Sequence, residues 1–563
     1  RDLHSFPTRR SSDLDELFLG PGTGTPLRRL RWIQGRPAEE PIGPQAPHEA
    51  LGLLGLSLTQ GGRKMLLSLA PTHAEPALTL AVDPNGNTRN LGISLPAGGA
   101  LTAADLDLDG DLDVVQTGRW IPGRYPAPAD ALLLLNQDGK LVPHEAASKA
   151  LAQAGLVTGA LFTDLVGDPH PELVLACEWG PVRVWEWRDG GWLEQTTALG
   201  LDRVRGAWQS LTAADFDGDG RMDLALGNWG LNSYHQRSRT GPWSLLYADL
   251  DGDGRVSIVE AFHDPASGLN LPVRTRDTLA KELPWLPAAF PTHASFATNG
   301  LPRILGEHAA QFTTLTVSTL TSGVLLHRGD RFEFRELPRE AQWTPVNALA
   351  AADFDGDGDI DLFCAQNFFA VREEDDRIDA GRGLILLNNG EAAFHALPSP
   401  LSGVEIPGEQ RSAAVGDFNQ DGRPDLAVGQ NGQPPVLLEN TGGLPGIRVR
   451  VNGSPGNPAG LGTRIRTRSE DRLGPWHEIR AGGGRPGQDS GVLIVDNRPG
   501  TTALVVRRPD GSTREFPISP ETPRAHRAAP LRRARFRLGS RPNPGPNPRR
   551  GGRQLLVAVP SRH

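Results

Sequence analysis

LTAADFDGDGRMDLALGN, residues Leu211–Asn228, decides the fold by what flanks its acidic centre. From Asp215 to Asp223 it reads D-x-D-x-D-G-x-x-D, the spacing of a calcium loop. Side chains at positions 1, 3 and 5 converge, the glycine at position 6 permits a sharp turn, the carbonyl of position 7 points inward, and position 9 closes the shell. A calcium-switched helical hand would need amphipathic helices of about ten residues on both sides. Here Gly227 breaks the chain soon after the loop, and DLALG reads as a short buried strand. The loop joins two strands.

The unit recurs. LTAADLDLDGDLDVVQTG (Leu101–Gly118), LAAADFDGDGDIDLFCAQN (Leu349–Asn367) and SAAVGDFNQDGRPDLAVGQN (Ser412–Asn431) repeat the order strand, acidic loop, strand. Their expected ligands are Asp105, Asp107, Asp109, the Asp111 carbonyl and Asp113; Asp353, Asp355, Asp357, the Asp359 carbonyl and Asp361; and Asp417, Asn419, Asp421, the Arg423 carbonyl and Asp425. In the Leu211 copy they are Asp215, Asp217, Asp219, the Arg221 carbonyl and Asp223. A fifth loop, YADLDGDGRVSIVEAF (Tyr247–Phe262), offers Asp249, Asp251, Asp253 and the Arg255 carbonyl. It has Ser257 at position 9 and Glu260 at the position of an EF-hand acid, either a substitute ligand or an ordinary strand residue. ALFTDLVGDPHPELVLACEWG (Ala160–Gly180) is a worn copy that keeps Asp164, Asp168 and Glu172 but has Val166 and Pro169 where an acid and a glycine belong.

Polar turns also favour Asp and Gly. Electrostatics separates the two readings: each like-charge pair near 4 Å costs from ~1 kcal/mol in water to ~4 kcal/mol at intermediate dielectric, and each loop holds several pairs. Without a cation the loops repel themselves. The oxygen donors suit Ca²⁺ at about five sites rather than a soft or redox metal.

With 67 Gly and 49 Pro spread through 563 residues, the composition favours short strands and turns. Strand pairs every ~50 to 60 residues predict a β-propeller of about seven blades, beginning near Leu51, Leu101, Val157, Leu211, Leu245, Leu349 and Ser412. Small residues ahead of each loop (Ala103 and Ala104, Ala213 and Ala214, Ala351 and Ala352, Ala413 and Ala414) fit crowded inner strands. Residues 277–322 have helix-like spacing and read as a helical insertion in the fifth blade, serving as a cap or a partner surface; it delays that blade's outer strands to GVLLHRGDRFEFRELP. The expected class is all-β, with a small β-sandwich after the propeller.

The D-x-D-x-D-G-x-x-D-L units, with LLLLNQDGKLV and LILLNNGEAAFHALP between them, resemble the FG-GAP/VCBS repeat family, whose repeats build calcium-stapled propellers as in integrin α-subunit heads. The resemblance covers roughly Leu51 to Asn440, within a propeller expected at 51–443. GRWIPGRYPAP, CEWGPVRVW, LGNWGLNSY and PWLPAAFPTHASF are similar to a bacterial subgroup of extracytoplasmic FG-GAP proteins. Residues 446–518 resemble the ASPIC/UnbV module through Asn457, Gly460, Gly462, Gly482 to Gly484 and Arg508 to Gly511, with R-P-D-G where that family has W-P-D-G. The usual FGLG-like segment is replaced by DSGVLIVD. The resemblance implies an extracytoplasmic location, where millimolar Ca²⁺ fills weak loops.

The termini differ from the body. Residues 1–14 carry no apolar signal core and read as a non-native extension, so no signal peptide is visible. Residues 519–563 read as a basic Pro/Arg-rich disordered tail; its excess of positive charge leaves the remainder at about −18 against a formal total of −8. The tail lacks interleaved aromatics, so no nucleic-acid partner is expected, and no run is long enough for a membrane span. Cys177 and Cys364 lie in apolar strands and read as unreactive core thiols.

No nucleophile, base and acid constellation is present. Arg119, Arg124, Tyr125, Trp179, Trp229, Asn232, Tyr234 and His235 occupy similar offsets after their loops in three blades, and form a candidate surface for a protein or glycan ligand or else close the blades by packing. The leading expectation is a calcium-stabilised binding or adhesion module. The alternative is a polysaccharide lyase or hydrolase with an axial active site.

Overall fold

The structure is a computed structural model that describes residues 17–20, 24–33, 36–48, 50–57, 63–69, 77–83, 85–95, 97–152, 154–233, 242–371, 376–483, 487–518, 536–538 and 554–558. Residues 1–14, Tyr234, His235 and most of the tail lie outside them.

Among the described residues, six four-stranded antiparallel sheets succeed one another, with a seventh nested inside the fourth and an eighth in the C-terminal region. Sheet I is built from Ala50–Ser57, Arg63–Leu69, Ala77–Val82 and Thr88–Leu95; sheet II from Leu101–Ala104, Asp113–Gln116, Leu132–Gln137 and Lys140–Pro143. Sheet III uses Leu156–Thr163, Glu172–Glu178, Arg183–Arg188 and Gly191–Glu194. Sheet V uses Val346–Ala352, Asp361–Gln366, Leu384–Asn388 and Phe394–Leu397. The first strands of sheets II, III and V, together with Ser210–Ala214 of sheet IV and Gln410–Gly416 of sheet VI, pack side by side in sequence order, as their small residues allow, and the sheet faces bury Leu, Val and aromatic side chains between neighbours. This is an all-β repeat, consistent with a propeller-like arrangement.

Sheet IV corrects the expected strand assignment. Ser210–Ala214 and Asp223–Gly227 are completed by Gly323–His327 and Phe332–Glu336, so GVLLHRGDRFEFRELP closes the Leu211 unit and not the Leu245 unit. The Leu245 strands form their own sheet, Leu269–Pro272, Ser257–Asp264, Trp243–Ala248 and Thr313–Val317, nested within sheet IV. Alternation identifies strands but says nothing about which sheet receives them, and a nested sheet looks like the next unit in line. Four short helices, Arg276–Leu279, Leu286–Ala289, His293–Ala297 and Leu301–Leu305, follow inside the nested segment and bury Leu279, Leu283, Phe290 and Ile304 against Val259 and Ala261.

Sheet VI joins Gln410–Gly416, Asp425–Gln430 and Gln433–Asn440 to a fourth strand from the tail, Phe536–Leu538. Phe536 is buried edge-on to Phe354 at 5.7 Å. A second tail strand, Gln554–Ala558, runs parallel to Ile447–Asn452. Part of the tail expected to be disordered is therefore paired with the body; its Arg and Pro content conceals two short runs able to add to sheet edges.

The C-terminal region has two small sheets. One contains Arg464–Ser469, His477–Glu478, Thr501–Arg507 and Thr513–Pro517; the other contains Ile447–Asn452, Val492–Val495 and Gln554–Ala558. Val449, Ile465 and Val506 share one core with Leu54, Leu101 and Val114 of sheets I and II. Thr102 donates to the Ala481 carbonyl at 2.8 Å. A Cβ on Gly482 would lie 2.3 Å from the Leu101 carbonyl, so this contact requires glycine. Cys177 and Cys364 are buried free thiols, as expected of core residues.

Candidate metal loops and the central cavity

The acidic loops share one hydrogen-bond frame. The position 6 amide donates to Oδ2 of the first aspartate: Gly110 to Asp105 at 3.1 Å, Gly220 to Asp215 at 3.2 Å, Gly254 to Asp249 at 3.2 Å, Gly358 to Asp353 at 2.9 Å and Gly422 to Asp417 at 2.9 Å. Position 9 has a second task. Oδ2 of Asp113, Asp223, Asp361 and Asp425 accepts the position 2 amide at 2.9–3.0 Å. Oδ1 accepts an amide of the third strand, from Asn136 at 2.8 Å, His327 at 2.7 Å, Asn388 at 2.8 Å and Asn440 at 2.7 Å. Each of these carboxylates ties its loop to the sheet.

The donor set fits a hard cation. Oδ1 of Asp105, Asp215 and Asp249 is buried and has no hydrogen-bond partner among the described residues. Carboxylate oxygens of Asp105, Asp107 and Asp109, of Asp215, Asp217 and Asp223, of Asp249, Asp251 and Asp253, and of Asp353, Asp355 and Asp357 lie within 4.8 Å of one another in each group. Burial, reinforced by neighbouring carboxylates, pushes Asp105 and Asp113 up to about 7, Asp215 to about 6 and Asp223 to about 8, and holds Asp353 and Asp361 well above the carboxylate range. These clusters could bind a metal, and would hold Ca²⁺ by oxygen donors alone.

The loop at Asp249 stands apart. The Ser257 hydroxyl donates to the Glu282 carbonyl at 3.0 Å, and Glu260 lies 3.8 Å from the Arg274 guanidinium, in a strand and outside the converging group. Its outer neighbour is Arg124, whose Nη2 is 3.5 Å from Asp249. The side chains at position 7 fold back toward position 5 in three loops, Arg221 onto Asp219, Arg255 toward Asp253 and Arg423 onto Asp421.

The other loops all face the C-terminal sheets. Ser454 donates to the Gly110 carbonyl at 3.4 Å, and the Trp476 amide donates to Asp215 Oδ2 at 3.1 Å. Arg472 and Arg498 reach Asp359 Oδ1 at 3.0 and 3.1 Å. Arg448 meets Asp417 at 2.7 Å, and Arg464 meets Asp164 of the worn loop at 3.2 Å.

A cavity of about 1310 Å³ runs past the inner strands. The ends of the second strands, opposite the acidic loops, line it with Arg119, Trp120, Tyr125, Glu178, Trp229 and Phe368. Trp229 and Phe368 meet edge to face at 4.9 Å, as do Trp120 and Tyr125 at 5.7 Å. Arg119 lies 4.5 Å over Trp120 and pairs with Glu178 at 2.7 Å. Residues 487–492 line the cavity where sheets I and VI approach. There Gln488 exchanges hydrogen bonds with Gly55 at 2.7 and 3.1 Å, while the Asp489 carboxylate and Ser490 amide bond Val415 at 2.8 Å each. The start of the segment that departs from the ASPIC/UnbV pattern, Asp489 and Ser490, is thus held on sheet VI, and the preceding Gln488 on sheet I.

Of the candidate ligand surface, Arg119, Tyr125 and Trp229 line the cavity. Trp179 is 6% exposed and its indole donates to the Tyr125 hydroxyl at 3.0 Å, so it supports the site from within. Asn232 donates to the Trp343 carbonyl at 3.2 Å, and Arg124 is held by Asp249. Trp120, Glu178 and Phe368 were not singled out in the sequence, although GRW, CEW, GNW and QNF carry an aromatic at one repeated place after the second strand.

A family model described as FG-GAP-like repeat matches residues 164–226 and 353–428. The chain carries FG-GAP-like repeats. The matched FG-GAP segments include the loops at Asp164, Asp215, Asp353 and Asp417. No curated protein matches the chain. Among solved structures, it is similar to the biofilm matrix protein Bap1 of V. cholerae, with 12% identity over 72% of this chain and 88% of that one and a TM-score of 0.26. It is also similar to a mutant of AofleA from Arthrobotrys oligospora, with 9% identity over 68% and 87% and a TM-score of 0.28.

Proposed function

We propose that this FG-GAP-repeat chain is a calcium-stabilised, extracytoplasmic β-propeller, residues 51–443, joined to an ASPIC/UnbV-like sandwich at 446–518, and that it is a non-catalytic binding or adhesion module for a protein or carbohydrate partner. The observation that carries the binding role is the cavity rim, where four aromatic side chains stand beside the Arg119–Glu178 pair. Aromatic faces with a few fixed donors and acceptors are what a ligand site requires. The convergent acidic loops support the calcium role. Burial and the Glu178 carboxylate hold the Tyr125 hydroxyl well above its usual pKa, away from the proton-abstracting role of a lyase base.

The test is titration of the calcium-loaded chain with soluble polysaccharides and surface proteins, followed by tryptophan fluorescence, beside an assay for polymer shortening. Saturable binding without turnover, weakened at least tenfold by Trp229→Ala and Arg119→Ala, is expected. Turnover that these substitutions abolish would replace the binding role with an enzymatic one.

A further inference from the structure

We infer that two arginines of the C-terminal sheets, Arg448 and Arg464, serve as the cations of the loops at 417–425 and 164–172, leaving calcium to the loops that begin at Asp105, Asp215, Asp249 and Asp353. The assignment rests on the calcium reading above for those four loops, and on the side-chain geometry of the other two.

The Arg448 side chain is 2% exposed, and its Nε lies 2.7 Å from Oδ2 of Asp417, whose side chain is fully buried. A guanidinium is always charged and carries five donors, so a buried one needs a carboxylate at this place. The Asp417 oxygens are otherwise engaged: Oδ1 accepts the Asp421 amide at 2.9 Å and Oδ2 accepts the Gly422 amide at 2.9 Å. The equivalent Oδ1 atoms of Asp105, Asp215 and Asp249 are left without hydrogen-bond partners among the described residues, whereas Oδ1 of Asp353 accepts the Gly356 and Asp357 amides at 2.8 and 3.0 Å, so the Asp353 loop is set apart from the Asp417 loop by its three converging carboxylates.

Position 3 of the same loop is Asn419, which removes a charge. Its amide nitrogen donates to Asp421 at 3.3 Å and to Glu439 at 2.7 Å. Arg423 adds a second guanidinium 2.9 Å from Asp421. The loop is close to charge balance before any metal arrives.

The worn loop follows the same logic. Val166 and Pro169 replace a ligand and the turn glycine. Arg464, 4% exposed, lies between Asp164 at 3.2 Å and Glu478 at 3.5 Å, with Arg507 at 3.8 Å from Asp164. The arginines near the Asp353 loop behave differently. Arg472 and Arg498 meet the Asp359 side chain, at the position that would supply only a carbonyl, while carboxylate oxygens of Asp353, Asp355 and Asp357 still converge within 4.8 Å of one another.

Two measurements on the full-length chain test the assignment. Elemental analysis after dialysis into calcium should give four ions per chain, three for Asp105→Asn, and still four for Asp417→Asn. A count that drops by one in Asp417→Asn overturns the assignment, whereas a wild-type count of zero overturns the calcium reading instead. Melting in EGTA is independent of the count. Asp105→Asn relieves an uncompensated cluster and should raise the melting temperature, while Asp417→Asn strands Arg448 and should lower it by several degrees. Equal shifts of the same sign would contradict the guanidinium role. Arg448→Met adds a gain-of-site arm, since the freed loop should then respond to calcium; a variant that melts as the wild type does in EGTA would also overturn the proposal.

Discussion

Oδ1 of Asp223 accepts the backbone amide of His327 at 2.7 Å, across 104 positions of sequence that include a complete nested sheet. The same carboxylate accepts the Phe216 amide through Oδ2 at 3.0 Å. One side chain thereby fixes the acidic turn and the return of the chain to sheet IV.

Asp223→Ala leaves two buried amides without acceptors, each worth about 1–3 kcal/mol. The expected loss is about 2–6 kcal/mol in urea unfolding with EGTA present, where no metal contribution enters. Ser257→Ala, at the equivalent position of the nested loop, removes one hydroxyl bond to Glu282 and should cost under about 1.5 kcal/mol. Equal effects would show that position 9 does not tie sheet IV together.

The nested sheet begins and ends at neighbouring places. Asn228 bonds the carbonyls of Thr319 and Thr321 at 3.1 and 3.2 Å, and its amide meets the Ser322 hydroxyl at 3.0 Å. Replacing residues 242–318 by a short Gly/Ser link should leave a chain that unfolds cooperatively and binds one calcium fewer. Its melting temperature should fall, because Trp179 and Leu156 lose the apolar contacts of Trp243, Leu245 and Val317. A chain that cannot fold would show that the nested sheet is integral to sheet IV.

Acid should help the metal-free protein. Asp105 and Asp113 at about 7, with Asp223 and Asp425 at about 8, stand above the ordinary carboxylate value because of burial. Between about pH 8 and pH 4 the folded chain binds protons that the unfolded chain does not, so stability rises as pH falls through that window and levels off below about 4. Calcium requires the ionised forms, and so its stabilising effect falls over the same window. Melting curves in EGTA and in calcium at pH 5 and pH 8 check both signs. A metal-free protein that loses stability from pH 8 to pH 5 would contradict the buried, self-repelling loops.

Much of this was legible in the sequence because the repeated loop carries its own geometry. Asp215 to Asp223 specifies a turn, and Gly227 excludes an exit helix, so the strand pairs were readable one by one. Pairing between distant strands was not. Nothing local in GVLLH distinguishes a strand that returns to Asp223–Gly227 from one that continues the Trp243–Ala248 sheet. The cavity was half legible: Trp229 and Tyr125 carried the repeated offset, while Glu178 gained its meaning only from Arg119, a partner in another sheet. The C-terminal arginines were invisible as loop partners, since Arg448 and Asp417 are joined only by the docking of one sheet on another.

The most direct measurement is the melting temperature of the full-length chain at pH 8 with and without EGTA, paired with elemental analysis of the dialysed protein. If acidic loops such as the one at Asp215 hold calcium as structural staples, chelation lowers the melting temperature markedly, added calcium restores it, and the restored protein contains bound calcium. Identical melting curves with no metal bound would contradict the account.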